Sequence, residues 1–272
     1  MRDVASEGDD RGITIQRVGV RGIHLPIMIR EKSGGNARVT GEFDASVELP
    51  HHERGTHMSR FVEILAKWSK KAVAFHELEE MLREIQTTFG ARVANLSLAF
   101  KYFLAKLTPA SREPVELDYN CRFDGGIQDG DYSFTVGATV PIITLCPCSR
   151  EISERGAHSQ RAELAVRLRT APGKLVWLED LIPLLERQGS FEVFPMLKRR
   201  DEKVVTEGSY DNPKFVEDVV RDAILALGAL DGAVWFSAEC QSFESIHNHN
   251  AYAYAELEPP LQPVHSAEGV RA

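Results

Sequence analysis

The sequence has few cysteines, no long apolar run and no apolar leader at its start. Four cysteines in 272 residues are too few for the disulfide framework of a small secreted domain. No run of about 18 apolar residues occurs, which excludes a transmembrane helix of the usual length. Residues 1–10 are polar and acidic, and they lack the apolar centre of a signal peptide. These absences predict a cytoplasmic protein in a reducing setting, with no membrane partner.

An excess of positive charge is also missing. The chain carries 32 basic and 40 acidic residues, a formal net charge of −8, whereas a nucleic-acid-binding protein normally presents a basic face. We therefore expect no nucleic-acid partner. A small anionic substrate is compatible with this balance if basic residues are concentrated locally, as they are in Lys198-Arg199-Arg200 with Lys203. A solvated surface turn explains that run equally well.

The chain does contain a clear two-residue alternation of apolar and polar side chains. This period is typical of β-strands that bury one face. The alternating segments are Gly41 to Leu49, Ala94 to Leu104, Val115 to Phe123, Tyr132 to Val140, Ala162 to Leu168 and Val234 to Cys240. A segment rich in glycine and aspartate, 124–130, predicts a turn between the third and the fourth of these strands.

Apolar side chains spaced three and four residues apart predict four helices between the strands. The first follows Thr56, a suitable N-cap, and the second ends before Gly90, a suitable C-terminal stop. A shorter helix covers the leucines from 178 to 185. Asn212-Pro213 opens the last helix, which Gly228 closes.

These elements predict an α+β fold built from a duplicated pattern. Residues 12–129 and 130–258 each follow the order strand, strand, helix, helix, strand, strand, which implies an antiparallel sheet in each half with its helices on one face. Open sheets leave edge strands that need covering, so assembly into an oligomer is expected. The tails, 1–11 and 259–272, are expected to be flexible.

Thiolate and imidazole groups cluster at the predicted strand ends of the second half. Cys146-Pro147-Cys148 follows one strand, His158 precedes the next, and His247 and His249 lie in a later turn. This mixture suits a zinc-type divalent metal. A structural zinc site would show paired ligand units such as Cys-x-x-Cys, and none is present. The pattern therefore favours a catalytic metal with one position open to water, and an antiparallel order places Cys146, His158 and His247 at one end of the sheet.

Each of these residues also has a purely structural interpretation. The two cysteines could fill the core, although Pro147 argues against this because proline ends ladder pairing. The histidines could be ordinary surface residues. The carboxylates of Glu202 and Glu217 could simply be solvated.

Several motifs, in order, resemble the GTP cyclohydrolase I type IB family. The segments that carry the resemblance are Arg54 to Arg60, Cys146 to Arg161, Phe194 to Lys203, Asn212 to Glu217 and Glu244 to Tyr252. The likeness runs from about residue 12 to 258. It implies tandem tunnelling-fold modules, in agreement with the duplicated pattern. It also implies a homotetramer with active sites at subunit interfaces.

The resemblance implies a role for particular residues of this sequence. The implied metal ligands are Cys146, His158, Glu202 and His247. Glu217 matches the glutamate that anchors a purine or pterin ring in tunnelling-fold proteins. The residues implied for the triphosphate are Arg150, Arg161, Lys198 and Arg199. Three positions depart from the family pattern, Ser159, Arg200 and Asn248, and none of them is an implied ligand or the anchor.

The implied reaction converts GTP and water to 7,8-dihydroneopterin triphosphate and formate, the first step towards folate-type pterins. Cys146, His158 and Glu217 are its expected catalytic residues, and zinc, manganese or iron its expected metal. Three alternatives stay open: a nitrile reductase-like enzyme with a cysteine nucleophile, a non-catalytic zinc-binding protein, and an archaeal-type relative that forms a cyclic phosphate. The roles of Cys148, His249 and His57 also stay open.

Overall fold

The fold is known from a computed structural model that describes residues 7–259. The parts of the expected tails at 1–6 and 260–272 lie outside the described residues. The strands are β1 Ile15–Arg30, β2 Asn36–Leu49, β3 Ala72–Val73, β4 Val93–Leu107, β5 Pro114–Gln128, β6 Asp131–Leu145, β7 Ser159–Thr170, β8 Phe191–Glu192, β9 Ala233–Ser242 and β10 Ala251–Leu257. The helices are α1 Met58–Trp68, α2 Phe75–Phe89, α3 Pro147–Ile152, α4 Leu178–Glu186, α5 Arg199–Asp211 and α6 Val216–Gly228. Among these helices, none is both long and apolar enough to cross a membrane.

The strands form one continuous sheet. Its order is β10-β9-β7-β6-β5-β4-β2-β1-β3, with β8 paired to β6. Every pair is antiparallel except β1 with β3. The α+β class is confirmed. The expectation of a separate sheet in each half is wrong, because β5 and β6 pair from Asn120↔Thr139 to Gln128↔Asp131 and so join the two halves.

The junction between the halves is a two-residue hairpin turn. Asp129 has φ 53° and Gly130 has φ 94°, and positive φ at both central residues is the requirement of a type I′ turn, which Asp-Gly meets well. The expected turn over 124–130 is therefore too long. Gly125 and Gly126 belong to β5, and Gly125 has a packing reason, because a Cβ there would lie 2.6 Å from Leu82 of α2.

The core lies between the helices and one face of the sheet. In α2 the buried residues Leu78, Leu82 and Ile85 recur at three and four residues, and in β4 the buried residues alternate as the sequence predicts. All of them belong to one apolar cluster that runs through both halves. Full burial of a leucine or isoleucine side chain contributes about 1.5–3 kcal/mol, so this face holds the fold together.

Two details of the helices differ from the sequence-based expectations. The N-cap of α1 is His57, not Thr56, and its side chain makes no capping hydrogen bond. The basic run at 198–203 is not a turn but the start of α5, a helix that the apolar spacing did not predict because only Asp201 and Ser209 of it are buried. The expected stop of α2 is confirmed, since Gly90 is left-handed with φ 61°.

The inner end of the expected N-terminal tail is held in place. Gly8 bridges Glu53, and the Asp9 N–H donates to the His52 carbonyl at 3.0 Å. The Arg54 N–H donates in turn to the Glu7 carbonyl at 3.1 Å. Residues 7–9 therefore pair with the segment that follows β2, which differs from the expectation of a flexible tail over 1–11.

A buried ion cluster joins β4 to the loop that precedes α5. Nζ of Lys106 lies 2.7 Å from Oε1 of Glu186 and 2.8 Å from Oε2 of Glu192, and it also donates to the Val193 carbonyl at 3.3 Å. The Tyr119 hydroxyl donates to Glu186 at 2.8 Å. The first half of the chain thus holds the segment that leads to Lys198 and Arg199.

Candidate active site

Cys146 lies where β6 ends and the short helix α3 begins. Its N–H donates to the His158 carbonyl at 3.1 Å, and its Sγ accepts the Ser149 N–H at 3.4 Å. Its side chain is half-buried, whereas Cys148 is exposed. The interpretation of both cysteines as core fillers is therefore wrong. All four cysteines lie within the described residues and none forms a disulfide, as expected.

His158 is held in one orientation by a chain of polar side chains. Its Nδ1 lies 3.0 Å from Oε1 of Gln160, an atom that also accepts from the Ser245 hydroxyl at 3.3 Å. The Gln160 amide nitrogen donates to the Thr144 hydroxyl at 3.2 Å, which fixes how the amide is oriented. Nδ1 of neutral His158 is then the donor, and Nε2 keeps its lone pair for a metal or a proton.

The loop after β9 closes over the same end of the sheet. Oε2 of Glu244 lies 3.9 Å from Nδ1 of His158, and Oε1 accepts from the Ser242 hydroxyl at 2.9 Å. Farther along, the rings of His247 and His249 stack with centroids 5.0 Å apart, and both residues are exposed. The topology confirms that Cys146, His158 and His247 share one end of the sheet, because Leu145 pairs with Ser159 and Ala162 with Ser242.

Glu217 lies in the first turn of α6. The chain just before this helix contacts the same end of the sheet. The Lys214 N–H donates to the carbonyl of Leu145, the residue before Cys146, at 3.1 Å. The Glu217 side chain is exposed. Burial, with a smaller contribution from the Glu217 charge, raises the pKa of the Cys240 thiol to about 12.

The other implied residues are spread along α5 and β7. Glu202 is in the first turn of α5, and the exposed residues Lys198 and Arg199 stand at its start. The guanidinium of Arg150 lies 4.6 Å from the ring centre of Tyr210, near the far end of α5. With a rise of 1.5 Å per residue, Glu202 and Tyr210 are about 12 Å apart along the helix axis. The Arg161 side chain is exposed on β7.

The structure therefore brings Cys146 and His158 together but does not gather the whole implied ligand set. Within residues 7–259, no three His, Cys, Asp or Glu side chains come close enough to hold a metal ion. Neither Glu202 nor His247 joins Cys146 and His158 in such a group of three, and the four-ligand set remains a prediction. A cleft of about 660 Å³ opens beside Leu145 and Ser159 and is closed on its other side by α5. Its volume is within the range of small-molecule sites.

Asp201 fixes the start of α5 against the β4–β5 hairpin. Its buried carboxylate accepts from the backbone N–H groups of Ala110 at 2.8 Å, Ser111 at 2.7 Å and Lys198 at 3.0 Å, and from the Ser111 hydroxyl. Burial raises the pKa of this carboxyl, but the hydrogen bonds from Ser111, Ala110 and Lys198 outweigh it and hold the pKa well below its usual range. A hairpin of the first half thus positions the basic residues of the second.

We expect Asp201→Asn to loosen this hairpin, since an amide offers one acceptor oxygen and turns an NH₂ group towards N–H donors. Trypsin cleavage after Arg112, which sits in the hairpin, should speed up by about tenfold, because cleavage follows the population of the open form. The rate is measured by mass spectrometry of timed digests. Cleavage after Arg83, in α2, serves as the internal control and should not change. Equal cleavage after Arg112 in both proteins would contradict the positioning role.

The comparisons with known proteins match nearly the whole chain. A family model described as "Type I GTP cyclohydrolase folE2" matches residues 1–253. A relative named GTP cyclohydrolase FolE2 from Syntrophotalea carbinolica is 44% identical over 267 residues, which cover 98% of this chain and 99% of the relative. Another of that name, from Geobacter sulfurreducens, is 44% identical over 256 residues, covering 94% and 98%. The chain belongs to the type I GTP cyclohydrolase FolE2 family. The resemblance stated from the sequence motifs is confirmed.

Two solved structures with a similar fold are uricases. Uricase from Arthrobacter globiformis has a TM-score of 0.57 at 8% identity, covering 94% of this chain and 95% of its own. Urate oxidase from Bacillus subtilis 168 has a TM-score of 0.53 at 8% identity, covering 89% and 98%. These identities show the fold alone. They confirm a tunnelling fold, while the division into modules at residues 12–129 and 130–258 stays a prediction.

The sequence-based reasoning missed the residues that hold the FolE2-family site in place. Gln160 and Glu244 both lie within the motifs that carry the resemblance, yet neither was given a role. Their signal is position: Gln160 follows His158 by two residues on the same strand face, and Glu244 precedes His247 by three. Asp201 was hidden in a run of charges that suggested a solvated surface.

Proposed function

We propose that this chain, as a GTP cyclohydrolase of the folate pterin route, hydrolyses GTP to formate and 7,8-dihydroneopterin triphosphate. The observation that carries the proposal is the junction of Cys146 and His158 at one end of the sheet, in a chain whose match to the FolE2 family is nearly complete. A nitrile reductase-like enzyme would need no metal and would leave the several metal-type ligands of this chain unexplained. A zinc-binding scaffold would leave Glu217 without a task.

The donor set at this end suits a divalent metal. A thiolate at Cys146 and an imidazole at His158 with a free Nε2 are donors that zinc prefers, and a shell dominated by carboxylate and histidine would favour manganese or iron. We propose Cys146, His158, Glu202 and His247 as the ligands. A divalent metal held by these residues would supply water whose pKa is lowered towards about 7, a nucleophile suited to C8 of guanine.

The protein groups supply orientation and proton transfer. Carboxylate oxygens of Glu217 can accept from N1–H and the exocyclic amino group of guanine together, which orients C8 towards the Cys146 end of the sheet. An imidazole can take and return a proton at neutral pH, and His158 is held for this by Gln160. Arg150, Arg161, Lys198 and Arg199 carry the positive charge that a triphosphate needs, and arginine can bind it bidentately.

The proposal includes assembly. Because no three of the proposed ligands come together within residues 7–259 of one chain, we propose that neighbouring copies complete the site at an interface, in a homotetramer in the cytoplasm. Light scattering of the purified protein gives the mass of the assembly. A monomer that turns over GTP at full rate would contradict this part of the proposal and leave the reaction itself standing.

The reaction is tested with purified protein, GTP and one divalent metal at a time. We expect a fluorescent neopterin after oxidation of the product, with formate released in equal amount. Mass spectrometry of the unoxidised product separates the linear triphosphate from a cyclic phosphate. No product with zinc, manganese or iron would overturn the proposal, and NADPH-dependent reduction of a nitrile would replace it.

Glu217→Gln is expected to lower kcat/KM for GTP by roughly 100-fold, because glutamine keeps the size but can no longer accept two hydrogen bonds from guanine. The fold should be unaffected, since the side chain is exposed at the start of α6. Glu80→Gln on α2 is the matched control, as its carboxylate is exposed and lies outside the lining of the 660 Å³ cleft. Equal kinetics for the two variants would remove Glu217 from guanine binding.

A further inference from the structure

A cavity of about 670 Å³ lies on the open face of the sheet, opposite the helices. Its floor is formed by β1, β2, β4, β5 and β7, and it is remote from Cys146. Arg167 on the cavity wall and Ser159 beside the candidate active site are eight residues apart on β7. At about 3.3 Å per strand residue they are roughly 26 Å apart, so the cavity is a separate place in the fold.

Positive charge is concentrated in this cavity against the trend of the chain. The whole sequence has a net charge of −8, yet the charged residues that line the cavity are four arginines and two aspartates. They are Arg17, Arg21, Arg122, Arg167, Asp44 and Asp124. A lining with net positive charge in an acidic protein raises the local concentration of small anions.

The two carboxylates are already committed to partners. Asp124 accepts from Nε of Arg122 at 2.7 Å and from a terminal nitrogen of Arg167 at 2.9 Å. Asp44 accepts the Gly22 N–H at 2.9 Å and lies 4.0 Å from Arg21. One carboxylate shared by two guanidiniums holds both of them in place and leaves one positive charge over. The remaining N–H groups of those guanidiniums stay available to a ligand.

Arg17 adds a charge that no carboxylate offsets, because it makes no ion pair with any residue between 7 and 259. Neutral donors complete the lining, from the hydroxyls of Ser46 and Ser97 and the amide of Asn95. At Gly19, β1 approaches the backbone of β2 closely, and an added Cβ would lie 1.9 Å from the Ala45 carbonyl oxygen. Only glycine fits there.

We propose that this cavity binds a polyvalent phosphate-type oxyanion, at a site distinct from the one that contains Cys146 and His158. Arginine guanidiniums recognise phosphate through paired N–H groups in a fixed fork, and hydroxyl and amide donors add neutral hydrogen bonds. The volume takes a short polyphosphate or the phosphate end of a nucleotide. A polyphosphate and a nucleotide both carry the oxyanion. The base of a nucleotide would also need apolar contacts, which this polar lining does not offer. Inorganic tripolyphosphate is therefore the fitting probe.

The test is calorimetric titration of the full-length protein with tripolyphosphate, repeated with ATP. We expect saturable binding of tripolyphosphate, weakened about tenfold by Arg17→Gln or by Arg167→Gln, because each removes a charged donor. Arg221→Gln is the matched control. It deletes one positive charge on α6, where Arg221 pairs with Asp218 at 3.2 Å, and it should change the affinity less than twofold. Tighter binding of ATP than of tripolyphosphate would identify a nucleotide as the occupant.

A second variant distinguishes binding in this cavity from binding at the candidate active site. Lys198→Ala with Arg199→Ala removes two basic residues proposed for GTP, and tripolyphosphate should still bind to the cavity in that protein. Arg17→Gln should leave GTP turnover unchanged and should fold, since Arg17 has no ion pair to lose among residues 7–259. Three results would overturn the proposal: no saturable binding, equal affinity in Arg17→Gln, Arg167→Gln and wild type, or complete loss of binding in the Lys198/Arg199 variant.

Discussion

Cys146→Ala is expected to lower GTP turnover by more than about 100-fold while the protein keeps its fold. The loss follows from the chemistry proposed for the sulfur, since removal even of a residue that supports a metal ligand costs 10–100-fold. The fold should tolerate the change, because the side chain is half-buried and, among residues 7–259, its Sγ accepts only the Ser149 N–H, at 3.4 Å. Steady-state turnover and an unfolding curve on the same preparation check both halves of the expectation.

Cys121→Ala provides the matched control, because it deletes the same group elsewhere. Cys121 lies on β5 with 3% of its surface exposed, and burial, assisted by the charge of Glu179, raises the pKa of its thiol to about 12. This thiol is therefore un-ionised at neutral pH. Its removal should leave turnover intact and lower stability by about 1 kcal/mol, the reverse of the Cys146 pattern. Full turnover by Cys146→Ala would exclude its sulfur from the reaction.

Lys106→Met is expected to destabilise the protein by about 3–5 kcal/mol, because it leaves the buried carboxylate of Glu186 without its cation. The side chains of Lys106 and Glu186 are only 11% and 5% exposed. For a chain of this size the apparent Tm should fall by roughly 10 °C. Lys101→Met, on the same strand, removes an exposed partner of Asp118 and should cost less than about 1 kcal/mol. Equal losses from both variants would contradict a buried, unpaired charge as the cause.

Lys106→Met should also change how the stability of the protein depends on pH. Burial raises the pKa of Glu186 above its ordinary 4.5, although Lys106 and Tyr119 partly offset this. Without Lys106 the pKa of the folded state rises further, so the folded protein binds a proton more tightly than the unfolded chain does. The variant's deficit should therefore be small near pH 5 and grow as the pH rises through the raised pKa. Lys106→Met with Glu186→Gln should recover most of the lost stability at neutral pH, since it leaves no buried charge.

The sequence predicted the strands well because their burial alternates. Segments such as Ala94 to Leu104 carry one apolar and one polar face, and the structure places them as strands with that face inward. It failed at α5, where the only buried residues are Asp201 and Ser209, so no apolar stripe existed to indicate a helix. The sequence also predicted too long a turn at 124–130, because Gly125 serves the close approach of α2 and the turn itself is Asp129-Gly130.

The order of the predicted strands along the chain was enough to predict which residues lie at the same end of the sheet. Strand ends gave Cys146, His158 and His247 a common end of the sheet, and the structure agrees. The orientation of His158 could not be predicted, because it depends on Gln160, Thr144 and Ser245, which meet only after β6, β7 and the loop beyond β9 have assembled. Likewise, only the folded hairpin shows that Asp201 is a buried anchor.

The pairing of β5 with β6 joins the two halves of the chain through main-chain hydrogen bonds. Cutting the chain at the Asp129-Gly130 turn would strip a whole ladder of main-chain partners from both fragments, each left with a long bare border of amide and carbonyl groups. Either fragment alone would be prone to aggregate through this unpaired edge strand.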